Sequence, residues 1–92
     1  MSETAIYDIS QQLRLLARAN VRTATDGRLL SGQVNYSLEL LRSGVLDALE
    51  HLQDGKGVNA VDQVCLSQAT AIIGANRPLI RDLRRQLDAI AA

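Results

Sequence analysis

The chain has no tryptophan and no phenylalanine, and only one cysteine, one proline and one histidine. Each scarcity excludes something. A single thiol, Cys65, cannot close an internal disulfide, and its apolar helical surroundings predict a buried, inert side chain. One histidine, His51, beside one cysteine leaves neither a metal-ligand set nor a nucleophile–base pair, and His51 is expected to face solvent near a helix end. With Tyr7 and Tyr36 as the only aromatics, the core must fill with Leu, Ile, Val and Ala. No apolar run approaches the ~20 residues that cross a bilayer. The opening "MSETAIYDIS" lacks the basic-then-apolar order of a signal peptide, so a cytoplasmic protein with no membrane partner is expected. A phosphate loop is missing as well, because "DGKG" has the wrong spacing. These exclusions predict a non-enzymatic protein with no cofactor, no metal and no small-molecule substrate.

What is present points to helices. The 92 residues suit one domain over 1–92. A chain this short buries only roughly 60 to 65% of its surface, so a homodimer is expected. Ten basic and ten acidic residues give no net charge, which excludes a surface that is basic all over but allows a local basic patch. Lys56 is the only lysine, so every other basic residue is an arginine, the side chain best shaped for phosphates and carboxylates.

Apolar spacing of three and four residues recurs along the chain and predicts an all-α bundle of about four helices, over 4–22, 28–53, 59–73 and 77–91. Ile6, Ile9, Leu13 and Leu16 form the first stripe, with Ser2 or Thr4 as cap and Arg14, Arg18 and Arg22 as a solvated basic row. Asp26-Gly27 signals a turn. Leu30, Val34, Leu38, Leu41, Val45, Leu49 and Leu52 form the longest stripe. Leu29, Tyr36, Leu40 and Leu46 lie off it and widen the apolar face toward a second subunit or partner. Gly44 marks a break or a close approach. Asn59 and Asp62 have the spacing of a capping pair. Val61, Val64, Cys65, Ala69, Ile72 and Ile73 give the third helix one apolar face, with Gly74 expected to close it in the left-handed conformation. Pro78 then sets the last boundary, with Asn76 as cap, and Leu79, Ile80, Leu83, Leu87 and Ile90 form the buried stripe of the fourth helix.

The stretch "GANRPLIRDLRRQL" concentrates the functional question. A helix-turn-helix needs a small residue in its first helix, a glycine at the turn and apolar residues inside its second, and Ala69, Gly74, Ile73, Ile80 and Leu83 supply them. Residues 66–87 resemble helix-turn-helix transcription regulators, and Gly74, Asn76, Arg77, Pro78, Ile80 and Arg81 match the recognition-helix run of the GntR type. The resemblance implies that Asn76, Arg77 and Arg81 approach base edges of duplex DNA while Arg84 and Arg85 touch phosphates. The sequence departs from the family in its longer third helix, in Asp82 and Asp88 among the arginines, in a small Ala75 at the junction, and in leaving no room for a wing.

The alternative is a helical adaptor or inhibitor, such as an antiactivator, export chaperone or phage-type inhibitor. It would grip a larger protein partner through the apolar face of residues 29–52, with Leu29, Tyr36, Leu40 and Leu46 as its interface. Either way the expected role is regulation by macromolecular binding.

Overall fold

In the computed structural model, residues 2–25 and 31–91 are described, with side chains for residues 2–19 and 36–91. They form four helices in chain order: α1 (Glu3–Thr25), α2 (Ser31–Gln53), α3 (Ala60–Ala75) and α4 (Arg77–Ala91). The Asp26-Gly27 turn and Leu29 lie outside the described residues. No described helix is long and apolar enough to cross a membrane.

Each helix starts or ends for a chemical reason. The Ser2 hydroxyl accepts the Ala5 N–H at 3.2 Å, so Ser2 rather than Thr4 opens α1. At the end of α2 the N–H of Lys56 donates to the His51 carbonyl at 2.9 Å, and that of Gly55 to Leu52 at 3.2 Å. This pair of bonds turns the chain back on itself and requires the left-handed backbone that Gly55 adopts, φ 76°. Asn59 opens α3 with a reciprocal box: its side chain accepts the Asp62 N–H at 2.8 Å while Asp62 accepts the Asn59 N–H at 3.2 Å. Gly74 does not close α3. The helix runs through it to Ala75, with Asn76 as its C-cap at φ −116°, and left-handed glycines occur only at Gly55 and Gly57 among the described residues.

The helix α1 is the central element. It lies along α2 and meets both α3 and α4, while α2 also packs on α3. Ile6, Leu13, Leu16, Leu38, Val45, Ala48, Leu66, Ala69 and Ile80 form one buried aliphatic cluster, with Leu41, Leu49, Leu52 and Ile73 packed at its edge. Gly44 sits inside an unbroken α2. A β-carbon there would lie 2.6 Å from the Cys65 sulfur, so the glycine marks the close approach of α3.

Two expectations about burial fail. On α3, Val61 is 77% and Val64 59% exposed, and on α4 Ile90 is 78% exposed, with Leu79 and Leu87 also open to solvent. Only Ile80 and Leu83 seat α4. The reason is geometric: α4 touches α1 and the adjoining end of α3 but does not reach α2, so no neighbour covers the rest of its apolar stripe.

Candidate nucleic-acid interface

Asn76 alone separates α3 from α4. Its N–H donates to the carbonyls of Ile72 and Ile73 at 3.1 and 3.2 Å, its side-chain Nδ2 donates to Ile72 at 2.9 Å, and its own carbonyl accepts the Ile80 N–H at 3.0 Å. One residue therefore satisfies carbonyls at the end of α3 and begins the bonding of α4. The joint thus uses one Nδ2 hydrogen of the amide that the resemblance assigns to adenine reading. Pro78 follows in the first turn of α4, where its missing N–H has no partner to lose.

Arg77, Arg81, Arg84 and Arg85 all line one open groove of about 630 Å³, together with Gln12 of α1, Ile73, Ile80 and Asp88. Arg81 and Arg85 lie on the outer side of α4, as charge on an ordinary solvated face does, whereas Arg77 and Arg84 lie nearer the buried stripe. Arg77 and Arg84 are three and four residues from Ile80, so they rise directly beside its buried side chain. At 1.5 Å per residue the row from Arg77 to Arg85 spans about 12 Å along the helix. Arg85 reaches Asp82 at 3.7 Å, a mostly exposed pair of the kind that contributes about 0.3 to 0.5 kcal/mol. Arg77, Arg81 and Arg84 make no ion pair with any described residue.

A contribution from α1 was not anticipated. Arg14 and Arg18, read from sequence as a solvated row, line a second, smaller depression with Gln11, Leu15, Leu87 and Arg84. Arg84 borders both hollows and joins the basic row of α1 to that of α4. The step-of-four spacing in α1 was visible in the sequence, but only the α1–α4 packing brings the two rows together. Charge is segregated across the molecule in consequence. Helix α4 has four arginines against two aspartates, whereas α2, which α4 does not touch, has Glu39, Asp47 and Glu50 against Arg42.

The proposed protein interface is only partly assembled. Tyr36 and Leu40, one turn apart, are 67% and 57% exposed. Leu46 is half-buried on a different side of α2, so the structure does not bring it to them.

The groups that could carry chemistry are occupied otherwise. His51 does not face solvent freely: its Nδ1 lies 2.9 Å from Oδ2 of the buried Asp62. The Cys65 thiol donates to the Leu41 carbonyl at 3.3 Å, and burial, followed by the charges of Asp62 and Asp47, raises its pKa above the ordinary thiol value. A thiol held protonated in this way is a poor nucleophile at neutral pH. Comparison with protein-family models, curated proteins and solved structures finds no match to this chain.

Proposed function

We propose that this protein is a small non-enzymatic regulator that binds duplex DNA through α4. The observation that carries the reading is the convergence of Arg77, Arg81, Arg84 and Arg85 on one open groove, three of them without an acidic partner among the described residues. The major groove admits one helix, and the arginine row runs about 12 Å along the axis of α4. Arg77 and Arg81, nearest the joint, take the base-facing role. Arg84, Arg85 and the neighbouring Arg14 and Arg18 take phosphates and set the register. The separation of acidic α2 from basic α4 supports this reading, because it turns a neutral protein toward a polyanion in one orientation.

The test is fluorescence anisotropy with mixed genomic duplexes across a salt series, on the wild-type chain and an Arg77→Ala/Arg81→Ala variant. Binding that weakens steeply with salt and disappears in the folded variant supports the reading. Absence of duplex binding at low salt overturns it.

One observation favours a second reading, an adaptor for a larger protein: the exposed pair Tyr36 and Leu40, flanked by Asp47 and Glu50 further along α2. Such a surface fits an apolar groove with a basic rim. It requires that duplex is ignored at low salt and that Leu40→Asp abolishes partner binding.

A further inference from the structure

The outer face of α3 is unusual in what it omits. Asp62 is the only charged residue of this helix, and it is turned inward and buried. Ala60, Val61, Val64, Ser67, Gln68 and Ala71 face outward, exposed and uncharged. The helix is uncharged on this side and not wholly apolar, since Gln63, Ser67, Gln68 and Thr70 are exposed beside its valines and alanines. Beside Val64 the same surface sinks into a shallow depression of about 560 Å³ bordered by Val58, Gln63, Leu66, Ser67, Thr70 and Ala71.

We propose that this face of α3 docks a second copy of the chain. In a two-fold interface each residue near the axis meets its own counterpart, so any charge there faces a like charge. The α3 face presents no charge and incurs no such repulsion. The exposed strip of α2 is a poorer self-partner, because Glu39 adjoins Leu40 and Asp47 lies two turns further along the same strip. This inference does not depend on DNA binding.

The experiment is light scattering coupled to size exclusion, on the wild-type chain and on Val64→Asp, Val64→Lys and Leu40→Asp, with helical circular dichroism as a check on folding. Val64 is exposed, so either charge is compatible with a folded monomer. The expected result is a wild type at twice the chain mass, both Val64 variants at the chain mass with native helical signal, and Leu40→Asp still dimeric. Ala71→Glu, two turns further along the same face, substitutes for any Val64 variant that loses its helical signal. A wild type that runs at the chain mass overturns the proposal. So does a dimer that survives charge at these positions, or one that only Leu40→Asp dissociates.

Discussion

His51 and Asp62, eleven residues apart and on different helices, meet through Nδ1 and Oδ2 at 2.9 Å. The contact ties the end of α2 to the first turn of α3, across the loop containing Gly55 and Gly57. Asp62 thereby serves two partners, since it also closes the capping box with Asn59. The hydrogen bond from His51 first, then the backbone N–H of Asn59, hold its carboxyl below the ordinary aspartate range, although burial opposes them.

That depression fixes the sign of a pH dependence. A carboxyl that gives up its proton more readily when folded stabilises the fold fully above its unfolded value of about 3.9, and the gain is lost as pH falls through the lower, folded value. Asp62→Asn is therefore less stable than wild type at neutral pH, and the gap narrows below about pH 4. Denaturant melts of both proteins at pH 7 and pH 3 check this. An equal gap at both values would remove Asp62 from the acid limb.

The Gly44–Cys65 contact predicts a coupled pair of substitutions. Gly44→Ala alone forces a methyl group against the sulfur and costs about 1 to 3 kcal/mol, partly offset by the better helix propensity of alanine. With Cys65→Ala the obstruction is gone and the propensity gain of about 1 kcal/mol reappears. A double-mutant cycle measured by urea unfolding reads the coupling, and strictly additive effects would refute the contact.

Ser10 is fully buried in α1 with no hydrogen-bond partner for its hydroxyl. Ser10→Ala removes an unsatisfied polar atom and improves helix propensity, for a gain of about 1 kcal/mol. A rise in melting temperature is the expected reading. A fall would mean that the hydroxyl has a partner in solution.

Asp88 is the one acidic residue lining the arginine groove. Asp88→Asn removes a like charge from the path of a phosphate and tightens duplex binding by about three- to fivefold at low salt. Arg81→Ala weakens binding and lowers the slope of log affinity against log salt by about 1. Identical isotherms for wild type and Asp88→Asn would place the duplex elsewhere.

The helices themselves were legible because their signals are local. Capping at Ser2 and Asn59, the proline at 78 and the three-four spacing each act within one turn, and boundaries followed to within a few residues. Burial was less legible. The pattern Leu79, Leu87 and Ile90 reports that one side of α4 is apolar, but not that a neighbour covers it, and α2 is out of reach. Val61 and Val64 failed for the same reason. The site was half visible: the four arginines of α4 stood out by density, whereas their neighbours Arg14 and Arg18 came from sixty residues away by packing. The direction of the Asn76 amide, back toward Ile72, had no sequence signal, since a capping asparagine can face either helix.

Because Asn76 is the whole connection between α3 and α4, the rotational phase of one helix against the other depends on the number of residues at that point. Inserting one residue at that point would wind α4 about 100° further round and 1.5 Å along its axis. The guanidinium row would then swing away from Gln12 and Ile73, while each helix kept its own internal bonds. The angular phase between the neutral side of one helix and the cationic side of the next is thus written in the count of residues, and a single-codon insertion could uncouple them without unfolding either.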